Sequence, residues 1–177
     1  MAIGQKLLIQ ASEFYTDSMN SEFVSGFRLR PIAKRRVFIN HAPDDFRFVE
    51  GLIVLIRKAG LDLYFDWDSG DRPGRSREER KKQVQERIAN CDLFFLIATD
   101  NYMSVPYCRQ DLEIAKTLNK KIYVLPTTVD GAVFGSEYIG IYNELAVQKT
   151  VQGRFVVKAL DTDRKNLWRT INTIDLL

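Results

Sequence analysis

Six consecutive apolar residues, Leu93-Phe-Phe-Leu-Ile-Ala98, admit few structural solutions. A strand with one wet face alternates polar and apolar side chains. An unbroken run of this length fits a strand covered on both faces, as inside a parallel sheet. Parallel neighbours need crossover connections, usually helices, and the flanking sequence supplies candidates for both. Arg36–Asn40, Leu61–Trp67, Lys121–Leu125 and Arg154–Lys158 are further strand-like runs. After the first of these, Asp44 or Asp45 can cap a helix whose inner side carries Phe46, Val49, Leu52, Ile53 and Ile56, with Gly60 placed to end it. Ser76 with Glu79 makes a capping-box pattern before a charged helix that shows only Val84 and Ile88 inward. Ile141–Val147 reads as a short helix, and 161–174 as a closing helix bearing Leu167, Trp168, Ile171 and Ile174. The expected fold class is therefore α/β: a five-stranded parallel, flavodoxin-like sheet in the order 2-1-3-4-5, with helices on both faces.

The segment ahead of this unit has Ile3, Leu7, Leu8, Ala11, Phe14 and Tyr15 at helical spacing. It predicts an N-terminal helical extension over 1–35, with the main domain at 36–177. The 177 residues suffice for one compact domain, and 45% hydrophobic with 28% charged residues is ordinary for a globular protein. A net charge of +3 with mixed signs argues against a nucleic-acid partner. The basic cluster from Arg75 to Arg87 is interleaved with Glu78, Glu79 and Glu86 and reads as a solvated helix face. No apolar run approaches the roughly 20 residues that span a bilayer, and the start lacks a signal-peptide pattern. The expectation is a cytoplasmic protein with no membrane partner. Two cysteines without a CxxC pair and a single histidine leave no set of metal ligands and no Ser-His-Asp triad.

The chemistry-bearing stretch is Ser104-Val-Pro-Tyr-Cys-Arg-Gln-Asp111-Leu-Glu-Ile-Ala115. It follows the apolar strand after a turn at Thr99–Asn101. Pro106 suits the first turn of a helix, where its missing N–H is not needed. Tyr107 and Asp111 are four apart and share one helix face. An aromatic ring and a carboxylate are thus presented at the carboxyl end of a strand, where open α/β sheets bind ligands. In the expected strand order the crevice lies between the ends of the first and third strands. Asn40 and His41 end the first of these strands, and the turn-rich loop Asp68–Arg75 is close enough to lean over the crevice.

Each of these residues also has a plainer role available. A carboxylate early in a helix suits the helix dipole, and Tyr107 suits ordinary packing. His41 reads as a proton carrier or as a turn residue bonding its own backbone. Asn40 can serve the loop backbone or a ligand. Arg72 and Arg75 read as solvated loop charges or as partners of a pyrophosphate. No Walker loop or GxGxxG is present, and Asn40-His41 does not supply the acidic cluster of a phosphorylated receiver.

Four segments in order carry a family resemblance: Val37-Phe-Ile-Asn-His-Ala42, Phe65-Asp66 before a Gly/Pro loop, Ile88-x-x-Cys91 before the Phe-rich strand, and Tyr107-Cys-x-x-Asp-Leu-x-x-Ala115. Over about residues 36–160 the chain resembles the TIR (Toll/interleukin-1 receptor) domain, in a layout similar to standalone bacterial TIR proteins of anti-phage defence. The family's usual form of the last motif has Trp and Glu where this chain has Tyr107 and Asp111. The resemblance implies cleavage of NAD⁺ at the nicotinamide–ribose bond, giving ADP-ribose or a cyclic isomer that signals to a downstream effector. NAD⁺ would be substrate, with no cofactor or metal. It places the catalytic carboxylate at Asp111 and the aromatic near nicotinamide at Tyr107. Asn40, His41, Ala42, Asp68, Arg72 and Arg75 would contact the substrate. The 68–75 loop would be the BB loop, which covers the site or joins neighbouring subunits by TIR–TIR contacts. The competing expectation is a non-catalytic TIR interaction module that assembles through that loop.

Overall fold

The structure, a computed structural model, describes residues 1–16, 35–67, 76–162 and 167–171. The apolar run is strand β4 (Leu93–Ala98), and it lies inside the sheet. On one side it pairs in parallel with β2 (Arg36–Asn40), which pairs in turn with β3 (Tyr64–Trp67). On the other side it pairs in parallel with β5 (Lys121–Val129). The side chains of β4 alternate between two cores. Leu93, Phe95 and Ile97 belong to one, and Phe94, Leu96 and Ala98 to the other. This is why the strand tolerates no polar residue. The first core is roofed by α1 (Gln5–Ser12) and α2 (Phe46–Lys58). The second is roofed by α3 (Arg77–Ala89) and α5 (Pro106–Thr117), the latter preceded by the short α4 (Asp100–Ser104).

The sheet has more strands than the expected five. Beyond β5 lie β7 (Asn143–Lys149), β8 (Phe155–Leu160) and β9 (Arg169–Ile171), and the path reads β3-β2-β4-β5-β7-β8-β9. The parallel part keeps the expected order, but its fifth place is taken by β7, which the sequence reading had as a helix. Glu, Leu, Ala, Gln and Lys are all good helix formers. What decides is location: Leu145 and Val147 drop into the first core while the backbone pairs with β5 and β8. Strand propensity depends on such context more than helix propensity does. The run at 154–158 is instead the antiparallel partner of β7, joined by a tight turn in which Gly153 has φ +81°. The expected closing helix is also corrected, since Arg169–Ile171 pairs antiparallel with β8.

The described part of the lead segment is built into the fold. Ile3–Gly4 forms β1, which pairs in parallel with the end of β5. The end of β5 also pairs antiparallel with β6 (Ala132–Phe134). Helix α1 lies against α2 at Gly51, where an added Cβ would meet the Leu8 carbonyl oxygen at 1.9 Å. At the far end of α2, Gly60 stops the helix with φ +80°, as its position predicts. Phe46 is 49% exposed rather than inward. No described helix is long and apolar enough to cross a membrane.

Candidate active site

The site is assembled at the carboxyl ends of β2 and β4. Its anchor is the first turn of α5, which Pro106 opens at N1. The Asn40 amide donates to the Cys108 carbonyl at 2.8 Å and to the Tyr102 hydroxyl at 3.1 Å. The Tyr102 hydroxyl donates to the same carbonyl at 3.1 Å. The Cys108 thiol donates to the His41 carbonyl at 3.3 Å. Asn40, Tyr102 and Cys108 are all buried. Together they stitch the end of β2 to the start of α5. Burial, then the nearby Asp111 carboxylate, pushes the Cys108 thiol up to about 12, and burial likewise raises the Tyr102 hydroxyl. These groups hold protons and position backbone; they are not poised to exchange them.

One turn further along α5, Asp111 faces α3. Its Oδ2 accepts from an Arg80 guanidinium nitrogen at 3.1 Å, and the carboxyl side chain is 4% exposed. The same guanidinium lies over the Tyr107 ring, with Cζ 4.1 Å from the centroid. Arg80 thus bridges the two residues that the helical spacing put on one face. It is delivered by the start of α3, where the Ser76–Glu79 capping box forms as expected. Glu113 points elsewhere: it is exposed and pairs with Lys116.

A second polar cluster lies beside this one. Asp45 does not cap α2 with its side chain; a short 3-10 turn at Pro43–Asp45 leads into the helix instead. Its buried carboxylate accepts from the Thr99 hydroxyl and, at 2.7 Å, from the Asn101 amide. Thr99 also caps α4 by accepting from the Tyr102 N–H at 3.1 Å, so the expected turn at 99–101 is a helix start. Gln5 of α1 reaches Asp100 at 3.3 Å and Thr127 at 3.1 Å, tying the lead segment to the same sheet end.

The structure therefore brings Asp111, Tyr107 and the Asn40–Ala42 corner into one neighbourhood. The Asn40 amide is engaged in fixing α5. His41 is 6% exposed, and its Nδ1–H donates to the Ala42 carbonyl at 2.6 Å, the turn-residue arrangement. Ala42 is 1% exposed. Asp68, Arg72 and Arg75 lie outside the described residues. Arg80 was missed, because the charged helix read as a solvated face. The signal was present: Arg80 is one turn before Val84 and two before Ile88, on the stripe already recognised as inward.

Asp66, in the second resembling motif, pairs with Arg87, whose guanidinium also donates to the Trp67 carbonyl and lies over Phe38 at 5.8 Å. This holds α3 to β3 and β2. A groove of about 580 Å³ runs between α3 and α5, lined by residues such as Lys81, Gln85, Glu113 and Leu118 but by neither Arg80 nor Asp111. Among the described residues, no group of three or more His, Cys, Asp or Glu side chains is placed to hold a metal ion.

The chain is similar to known proteins over much of this region. A TIR-domain family profile (TIR_2) matches residues 37–155. A curated relative, described as a probable 3' cyclic ADP-D-ribose synthase ThsB' of Bacillus cereus (strain MSX-D12), is 28% identical over 118 residues. The match covers 62% of this chain and only 60% of that protein's length. Among solved structures, the Clostridium botulinum CMP N-glycosidase BcmB is similar at 22% identity, over 51% of this chain and 67% of that one. Its TM-score of 0.36 is too low to carry functional weight.

Proposed function

Because the chain belongs to the TIR-domain family, we propose that it cleaves NAD⁺ at the nicotinamide–ribose bond, with Asp111 as the working carboxylate. The observation that carries this reading is Asp111 at the carboxyl end of the sheet, one turn above Tyr107 and held in a network that fixes its helix. Breaking the N-glycosidic bond develops positive charge on the ribose. A carboxylate in a water-poor crevice stabilises that charge far better than one in bulk solvent. The nicotinamide ring is already cationic in the substrate, so it takes the bonding pair and leaves neutral without protonation; one carboxylate suffices and no proton donor is required. Tyr107 offers a ring against which nicotinamide can pack, and the Asn40–Ala42 corner, tied to α5 by the Asn40 and Cys108 hydrogen bonds, would line the same side of the site. Asp68, Arg72 and Arg75 of the covering loop contact the substrate in this reading.

The product is ADP-ribose or a cyclic isomer. The name of the Bacillus cereus relative supports the cyclic one. The nucleotide would then act as an immune signal to a downstream effector, made by copies associated through TIR–TIR contacts. A second reading is favoured by one observation: the Asp111 carboxylate is ion-paired and nearly inaccessible. That arrangement also suits a non-catalytic module that assembles through the 68–75 loop.

Incubation of concentrated protein with NAD⁺, with products separated by chromatography, tests the choice. Nicotinamide release that disappears in Asp111→Ala supports the enzyme, and the co-product peak separates linear from cyclic ADP-ribose. Release that persists in Asp111→Ala overturns the site. Absence of release under conditions that drive assembly favours the module.

A further inference from the structure

We propose that Arg80 is a clamp exchanged by substrate: its guanidinium leaves Asp111 for the diphosphate of the incoming dinucleotide and frees the carboxylate as it does so. The proposal rests on Asp111 being the working carboxylate.

In the structure one guanidinium occupies both features the substrate needs. It pairs with the Asp111 carboxylate at 3.1 Å and covers the Tyr107 ring at 4.1 Å. Arg80 is the outer member of the pair, with its side chain 17% exposed against 4% for Asp111. An approach to the carboxylate from the side on which Arg80 pairs with it displaces the guanidinium. A carboxylate neutralised by a contact cation also does little for a developing ribosyl cation, because the two positive charges compete for it. Catalysis therefore requires the ion pair to open.

Opening it with nothing to take its place is unfavourable, since it withdraws the Arg80 cation from a buried carboxylate. Exchange removes most of that cost. Guanidinium pairs with phosphate oxygens in the same bidentate manner as with carboxylate. A dinucleotide brings a diphosphate and a cationic nicotinamide–ribose together. The first takes up Arg80, and the second replaces it beside Asp111 and Tyr107. The nicotinamide cation takes over the charge that Arg80 held beside Asp111, and Arg80 offsets one of the diphosphate's two negative charges. Arg80 also has a fixed pivot and a flexible reach: its N–H bonds the Ser76 carbonyl at 3.1 Å in the capped first turn of α3, and the side chain extends from there.

The consequence is substrate selectivity. A nucleoside such as nicotinamide riboside carries the scissile bond but no phosphate, so it cannot draw Arg80 away. Native protein, Arg80→Gln and Arg80→Lys are compared for cleavage of NAD⁺ and of nicotinamide riboside, with circular dichroism confirming the fold of each. Native protein is expected to prefer NAD⁺ strongly. In Arg80→Gln riboside cleavage rises and the preference shrinks at least tenfold, whereas Arg80→Lys keeps most of it. An unchanged preference, or equal losses on both substrates, overturns the proposal.

A second readout needs no turnover. Asp111 is coupled to glycine ethyl ester with a water-soluble carbodiimide and quantified by peptide mass spectrometry, with and without inorganic pyrophosphate. Exchange predicts low labelling of native protein that rises with pyrophosphate, and high labelling of Arg80→Gln in both conditions. Native labelling that ignores pyrophosphate overturns the exchange. Labelling that responds while no variant cleaves NAD⁺ supports the clamp and counts against the NAD⁺ reading alone.

Discussion

The Asn40 side-chain amide donates to the Cys108 carbonyl at 2.8 Å, joining residues 68 positions apart. Through this bond and its partner to Tyr102, the end of β2 sets where α5 begins and so where Asp111 points. Asn40 is 2% exposed, so deleting its amide leaves buried polar groups short of a partner. Asn40→Ala is expected to lose about 1–3 kcal/mol in urea unfolding. It should also reduce NAD⁺ cleavage by roughly tenfold or more, since small misplacement of a reacting group is costly. Full stability with unchanged cleavage would show that the bond positions nothing.

Helix α1 sits on α2 with no space between backbones at Gly51. A Cβ there would lie 1.9 Å from the Leu8 carbonyl oxygen, and backbone cannot rotate away as a side chain can. Gly51→Ala is expected to destabilise by about 1–3 kcal/mol, even though alanine favours helix over glycine. Thermal unfolding reads this. A raised melting temperature would mean that α1 is not held against α2.

The core of the sheet was legible because burial on both faces leaves a plain record, as in Leu93–Ala98. So was the start of α5, since Pro106 and the four-residue spacing of Tyr107 and Asp111 are local geometry. What the sequence hid was decided by partners distant in the chain. Asn143–Lys149 is strand because β5 and β8 flank it, against its own helix-forming composition. Asp45 spends its carboxylate on Thr99 and Asn101 instead of on the helix it precedes. Arg80 was readable only by extending the Val84–Ile88 stripe backwards through a charged segment, where pattern rules expect water.

Both cysteines are buried, and burial raises Cys91 to about 11 and Cys108 to about 12. At pH 8 Cys108 would carry about a thousandfold less thiolate than an ordinary thiol. Native protein is therefore expected to resist iodoacetamide at pH 8, with both thiols reacting after denaturation. Fast modification of Cys108 in the native state would contradict the packing of α5 against β2.

Asp45 makes stability depend on pH in an unusual direction. Burial raises its carboxyl above the ordinary 3.8, and Asp100 adds to this, while the hydrogen bonds from Thr99 and Asn101 and the nearby His41 oppose it. The folded chain thus holds this proton more tightly than the unfolded one. As pH rises from the unfolded value through the raised folded value, Asp45 withdraws stability, and above that the loss is constant. Asp45→Asn has no such proton. Its stability relative to native protein is expected to be higher at pH 7 than at pH 3.5, measured by urea unfolding at each pH. The opposite trend would mean that the hydrogen bonds outweigh burial.

The most direct test of the account uses Asp111→Asn, which keeps the size of the side chain and an oxygen for Arg80 but removes the charge. Nicotinamide release from NAD⁺ is followed for both proteins, with circular dichroism confirming an intact fold. The account predicts measurable release by native protein and a fall of about 10²–10³-fold in the variant, the scale expected for losing a preorganised electrostatic group. Release at the native rate from folded Asp111→Asn would contradict it.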